Sequence, residues 1–269
     1  MIDGFSFKDV YGIGDLLQIM QCLRSEGGCP WDREQTHESI KKNLIEETYE
    51  VIEAINQQDK ALLCEELGDV LMQVVFHAQM EAEEGSFTFE NVADGVCKKL
   101  IERHPHVFGE VEVTGSEEVL RNWDDIKKRS KGQPSQTETM LSVPRELPAL
   151  MRATKVQKKA AKVGFDWPDI SGAVDKLYEE TSELSGAIES GSEEEIAEEL
   201  GDLLFSAVNV SRFVGCDAEE ALTAATDKFM RRFACVEEKA RERGLKLEEL
   251  SLSELDALWD EAKLDLLSK

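Results

Sequence analysis

The sequence predicts an all-α protein made of two tandem helical-bundle domains joined by a linker. Three observations carry this reading. Apolar residues recur at the helical period while two-residue alternation is nearly absent, glycines and capping boxes punctuate those runs, and blocks of the first half return in the second. With 269 residues, 41% of them apolar, the chain is long enough for two cores of ordinary size.

In the first half, the periodic runs predict helices near 14–25, 37–56, 60–84, 90–103 and 117–129, with a tight boundary at Gly85. Pro134, Pro144 and Pro148 crowd the middle, where aromatics are scarce. The expected division is an N-terminal domain over 1–130, a linker over 131–147 with at most Met140–Val143 docked, and a C-terminal domain over 148–269. In the second half Leu177, Thr181, Leu184 and Ile188 form one apolar stripe, which Gly191 ends. Ser192 with Glu195 is a capping box that opens the next helix, Asp217 with Glu220 repeats the signal after Gly215, and Ser253 opens the last.

Acidic residues outnumber basic ones 56 to 31, for a formal charge of −25. Nucleic acid and anionic membranes demand basic patches, so neither is an expected partner. The start MIDGFSFKDV lacks a basic segment followed by an apolar run, and no 18-residue apolar stretch occurs, so no signal peptide or membrane span is expected. Six scattered cysteines without a CxxC pair read as reduced thiols of a cytoplasmic protein, most of them buried.

The internal repeat holds the chemistry. Glu46-Glu47-Thr48-Tyr49-Glu50 returns as Glu179-Glu180-Thr181-Ser182-Glu183, and Glu65-Glu66-Leu67-Gly68-Asp69 as Glu198-Glu199-Leu200-Gly201-Asp202. Lys99 and Arg103 match Lys228 and Arg232, and Trp123-Asp124-Asp125-Ile126-Lys127 matches Trp259-Asp260-Glu261-Ala262-Lys263. Glu180 and Glu183 share a helix face, as do Glu199 and Asp202. Both Glu183/Glu199 and Glu180/Asp202 are centred on residue 191, so an antiparallel hairpin folded there sets each acid opposite its partner. In the first copy the pairs centre on Gln58 within Asn56–Asp59. Each hairpin thus gathers four carboxylates, the inner pair roughly 12 Å from the tip at the helical rise.

Facing carboxylates repel, and only protons or cations relieve that. All-oxygen sites with open positions suit Mg²⁺, with Mn²⁺ as a possible substitute, and such ions would also reconcile an acidic protein with an anionic phosphate substrate. Other acid pairs, such as Glu117-Glu118 and Glu237-Glu238, read as solvated faces. What separates the quartets from these is duplication at identical spacing, symmetric about each turn.

Gly68 and Gly201, inside helices beside the acids, serve either close helix packing or clearance for substrate. Lys228 and Arg232 share a face and would suit phosphate oxygens, or form a surface pair. Trp123 and Trp259 could wall a nucleotide or anchor a core.

These motifs, with Gly28-Cys29-Pro30-Trp31-Asp32, Gln35-Thr36-His37 and His104-Pro105-His106-Val107-Phe108-Gly109, resemble the MazG family of all-α nucleotide pyrophosphohydrolases over nearly the whole chain. The resemblance implies Mg²⁺-dependent cleavage of NTPs and dNTPs to the monophosphate and pyrophosphate by a homodimer whose helices complete each other's sites. It implies metal ligands at Glu180, Glu183, Glu199 and Asp202, and substrate contacts at Lys228, Arg232, Trp259 and Lys263. It further implies a catalytic second domain and a structural or regulatory first one, although Glu47, Glu50, Glu66 and Asp69 leave the first metal-competent. The expected mechanism is attack by metal-activated water, its proton accepted by Glu180 or Glu179.

Competing readings are a ferritin-like di-iron protein, a non-catalytic nucleotide- or partner-binding helical scaffold, and a narrower dUTP- or dCTP-specific hydrolase. The di-iron reading needs two Glu-x-x-His pairs, and only Glu34–His37 fits.

Overall fold

The computed structural model describes residues 5–130 and 135–267. Among them are thirteen α-helices, one 3₁₀ turn and no strand. No helix among the described residues is long and apolar enough to cross a membrane. The chain divides into two compact units, residues 1–127 and 128–269.

The first unit is built around a helical hairpin. Helix α3 (His37–Gln57) and α4 (Lys60–Glu83) pack side by side, and α1 (Ile13–Arg24) and α5 (Phe89–Arg103) pack on α4. Thr36 and Ser39 form the capping box that opens α3. The tip is tight: Gln58 takes a left-handed φ of 56°, and the Asp59 carboxylate accepts from Ala61 N at 2.9 Å and Leu62 N at 3.1 Å to start α4. Met20, Ile40, Val75, Phe76 and Met80 form the core.

The Gly28–His37 segment is structural in its contacts. A Cβ on Gly28 would stand 2.1 Å from the Leu23 carbonyl oxygen, so only glycine fits where the chain leaves α1. Arg24 donates to the carbonyl oxygens of Asp32 and Gln35 and pairs with Glu83 on α4 at 2.8 Å. One guanidinium therefore fastens α1, α2 (Pro30–Glu34) and α4 together.

The second unit repeats the hairpin with α10 (Ile170–Ser190) and α11 (Glu193–Phe213). Gly191 ends α10, and the Ser192–Glu195 capping box opens α11, with Ser192 N donating to Glu195 at 2.7 Å. Helix α9 (Ala149–Ala161) packs on α11 and on α12 (Ala218–Glu242), which pairs with α13 (Leu252–Leu267). Val236, Ala240, Leu258 and Ala262 fill the α12–α13 seam.

Two features differ from the sequence-based expectation. Part of the expected linker, 131–134, lies outside the described residues, but 136–141 forms a helix, α8 (Gln136–Leu141), packed on α9 with Thr139 and Val143 buried. The cysteines are not mostly buried: Cys64, Cys97 and Cys216 are exposed and Cys22, Cys29 and Cys235 are half-buried. Cys64 and Cys97 lie on the exposed sides of α4 and α5, where residue type says little about depth.

Candidate active site

Helix α10 carries Glu179, Glu180 and Glu183, and α11 carries Glu199 and Asp202. Glu180, Glu199 and Asp202 each bring one carboxylate oxygen within 4.8 Å of the others. Glu180 is buried at 4% exposure, held between the two helices. The fourth predicted acid, Glu183, stands beside this group, one helical turn after Glu180 on α10.

The first unit repeats the arrangement position for position. Glu47, Glu66 and Asp69 gather within the same 4.8 Å, and Glu50 lies beside Glu47 and Glu66. Burial raises the carboxyls of Glu47 and Glu66 above their ordinary values. The contact with Glu50 adds to this at Glu47, and the charges of Glu50 and Asp69 add to it at Glu66. Burial likewise raises Glu183, against the opposing charge of Lys176. Each cluster holds more negative charge than it can neutralise by itself.

Lys176 is the residue that sequence reasoning missed. Its ammonium lies 2.6 Å from Glu179, 2.7 Å from Glu180 and 4.0 Å from Glu183. Hydrogen bonds to Glu179 and Glu180 hold it well above the ordinary lysine range. The matching residue of the first unit is Asn43, so aligning the repeats one turn upstream of the acids exposes the difference.

The donors fit a divalent cation. Three carboxylate oxygens within 4.8 Å of one another can close on one Mg²⁺, which takes oxygen ligands at about 2.0–2.1 Å. A Cβ added at Gly68 or Gly201 would meet nothing within 4 Å, so close packing does not explain either glycine. Both leave space beside the acids.

A cavity of about 750 Å³ opens from the second cluster. Lys176, Glu180 and Asp202 line it together with Phe165, Trp167, Phe205, Asn209 and Arg212, among others. Arg212 donates to Asp166 at 2.8 Å and to Asn209 at 2.7 Å, which ties the 162–169 loop to α11.

Lys228, Arg232, Trp259 and Lys263 do not line this cavity. Trp259 packs against Phe229, with ring centres 5.0 Å apart, and joins the α12–α13 core. The Arg232 guanidinium lies 5.9 Å over its ring, Lys263 pairs with Asp260 at 2.8 Å, and Lys228 is exposed. The first unit keeps the same cation–π pair, Arg103 over Trp123 at 5.4 Å.

The model of the MazG nucleotide pyrophosphohydrolase domain matches this chain twice, at residues 35–108 and 171–236. Each match spans one acid-bearing hairpin. The chain belongs to the MazG family. It is 48% identical over 249 residues to the nucleoside triphosphate pyrophosphohydrolase/pyrophosphatase MazG of Thermotoga maritima, covering 93% of this chain and 94% of the relative. It is 46% identical over 254 residues to the nucleoside triphosphate pyrophosphohydrolase of Escherichia coli, covering 93% and 97%. Against the uncharacterized protein YabN of Bacillus subtilis, identity is 50% over 91% of this chain and 50% of the relative. The similarity therefore runs through both acid-bearing hairpins of this chain and nearly the full length of the first two relatives.

Proposed function

We infer that this chain is a nucleoside triphosphate pyrophosphohydrolase, a hydrolase acting on phosphoric anhydrides, which releases pyrophosphate and leaves the monophosphate. The observation that carries this reading is the α10–α11 carboxylate cluster, two of whose acids line a cavity, in a chain that follows two relatives of that name over 93% of its length. Mg²⁺ is the cation we propose, with Mn²⁺ as substitute, held by Glu180, Glu199 and Asp202 with Glu183 beside them. Bound there, it would supply Lewis acidity toward phosphoryl oxygens and water.

The protein's own groups do the rest. Lys176 places a positive charge at the junction of cluster and cavity, where the triphosphate meets the acids. The proton of the attacking water goes to Glu179 or Glu180, the two carboxylates that share the Lys176 ammonium. We assign catalysis to the second domain, 148–269, because Lys176 and the cavity lie there, and leave Glu47, Glu50, Glu66 and Asp69 as a second metal-competent cluster in the domain before the 131–147 segment.

Lys228, Arg232, Trp259 and Lys263 are proposed to meet the substrate in a homodimer, each copy completing the other's site. Leu200 and Leu204 of α11 are about half exposed, which leaves an apolar face for that contact. Six free thiols suit a reducing cytoplasm, the compartment proposed for the protein.

The test is product analysis on a panel of NTPs and dNTPs with Mg²⁺, against an EDTA control. Glu180→Gln with Asp202→Asn is expected to abolish pyrophosphate release with helicity intact, while Glu47→Gln with Asp69→Asn leaves it. Full activity in the first variant contradicts the assignment. A panel response confined to dUTP or dCTP narrows it.

A further inference from the structure

We propose that His37 and His77 form a second kind of metal site in the first unit, a pair of imidazoles that takes one Zn²⁺ ion on their Nδ1 atoms. The acid clusters offer only oxygen. This pair offers nitrogen, which suits zinc, nickel and copper over magnesium.

The internal repeat singles the pair out. The offset of 133 residues that carries Glu47 to Glu180 and Glu66 to Glu199 carries His37 to Ile170 and His77 to Val210. The second hairpin thus forms with aliphatic residues at both places, so packing does not require the imidazoles. Glu81, which serves the pair, becomes Val214 under the same offset.

The geometry joins the two rings. His37 opens α3, His77 lies in the second half of α4, and their Nδ1 atoms stand 2.7 Å apart. The ring planes are within 3° and the centres 5.0 Å apart, so the rings meet edge to edge with both nitrogens on the line between the centres. A tetrahedral ion about 2.05 Å from each Nδ1 holds the ring centres roughly 5.2 Å apart. The rings therefore turn in place to accept an ion, and the helices stay where they are. The His37 side chain is 42% exposed, which gives the ion an entry path and water for its remaining positions. His77 stands eight residues past Asp69, about 12 Å along the helix, so the pair is separate from the acid cluster.

The surrounding hydrogen bonds fit the ion better than the free pair. Glu81 accepts from His37 Nε2 at 2.9 Å, the carboxylate contact that ligating histidines make through their other nitrogen. With that proton on Nε2, neutral His37 has a bare Nδ1. His77 then donates from its own Nδ1, and its Nε2 is a bare acceptor. That Nε2 is buried with no partner among the described residues. So is Oε1 of Gln73, a residue 5% exposed and one turn earlier on the same face of α4. Two acceptors cannot satisfy each other. An ion on both Nδ1 atoms moves the shared proton to His77 Nε2, with none lost, and makes that nitrogen a donor for Gln73. Zinc thus relieves two orphaned acceptors at once.

The test is calorimetric titration of the full chain with Zn²⁺ above pH 7, in excess Mg²⁺ to fill the acid clusters, with zinc-edge X-ray absorption to identify the ligands. The expected result is one zinc per chain carrying two imidazoles. His77→Val, which copies the second unit, and His37→Gln should each abolish that ion. Glu81→Gln should weaken it about ten- to a hundredfold, and Glu47→Gln with Asp69→Asn should keep it. If wild type shows no zinc on imidazole, or both histidine variants bind it as wild type does, the pair only shares a proton and the proposal is overturned. Loss of the ion in the Glu47→Gln, Asp69→Asn variant would place it at the acids and overturn the proposal equally. Should His77→Val not fold, His37→Gln, at the partly exposed start of α3, carries the same comparison.

Discussion

Replacing Arg212 by methionine isolates the strongest tether of the cavity loop. The guanidinium makes two hydrogen bonds to Asp166 and one to Asn209 at 2.7 Å, and it lies 4.7 Å over the Phe213 ring. Methionine keeps most of the apolar stem and removes the charge, which leaves Asp166 facing the gap. Breaking a fully buried pair costs about 3–5 kcal/mol. Here the side chains are 13% and 23% exposed, so water reaches the orphaned carboxylate and the expected loss is about 2 kcal/mol. For a unit of this size that corresponds to a fall of roughly 7 °C in the midpoint of its thermal transition. Pairing Arg212→Met with Asp166→Asn in a double-mutant cycle should give a coupling of about 1–2 kcal/mol. The pH sign follows from Asp166. Its carboxyl is held below the ordinary 3.8 chiefly by the Arg212 hydrogen bond, so this stabilisation is present above pH 3.8 and is lost as pH falls through the lower folded value. Circular dichroism melts of the four proteins at pH 7 measure the coupling. A coupling indistinguishable from zero refutes the reasoning, because the clamp would then contribute no more than an exposed surface pair.

Two further predictions concern the half-buried His77 and the lysine among the acids. His77 meets His37 ring to ring, with Nδ1 to Nδ1 at 2.7 Å, and Glu81 lies 2.9 Å from His37 Nε2. Burial, then His37, lowers the His77 pKa below 6.5, so the unfolded chain binds that proton first, and stability is lost as pH falls below 6.5. Urea midpoints between pH 7 and 5 should fall for wild type and flatten in His77→Gln; equal slopes contradict this. Lys176→Met removes a cation from the cluster, so Mg²⁺ should bind more tightly, roughly thirtyfold for a unit charge about 4 Å from a divalent ion in water, while turnover falls. Unchanged Mg²⁺ affinity by calorimetry would mean that the lysine and the cation do not share a site.

The hairpins were readable because their information is local. Helical periodicity, the Ser192–Glu195 box and the Asp59 cap depend on neighbours within a turn, and an antiparallel fold at Gln58 or Gly191 follows from them. Finer placement was not local. Residues three apart are split by about 60° around the helix axis, so spacing alone did not say that Glu180 would join Glu199 and Asp202 while Glu183 stood beside them. Lys176 was hidden for a related reason, since a lysine one turn from acids also reads as an ordinary surface pair. The cavity was out of reach entirely. Its walls come from α8, α9, the 162–169 loop, α10 and α11, and only long-range packing brings Met140, Trp167 and Asn209 to one space. The same packing turned 136–141 from expected linker into a docked helix.

Anomalous diffraction from crystals grown with Mn²⁺, recorded at the manganese edge, probes the cation directly. The predicted result is a peak about 2–2.3 Å from one oxygen each of Glu180, Glu199 and Asp202, as expected for a small hard cation on carboxylates. Carboxylates turned apart toward solvent with no peak between α10 and α11, in crystals that bind manganese elsewhere, would contradict a metal-dependent centre at this hairpin.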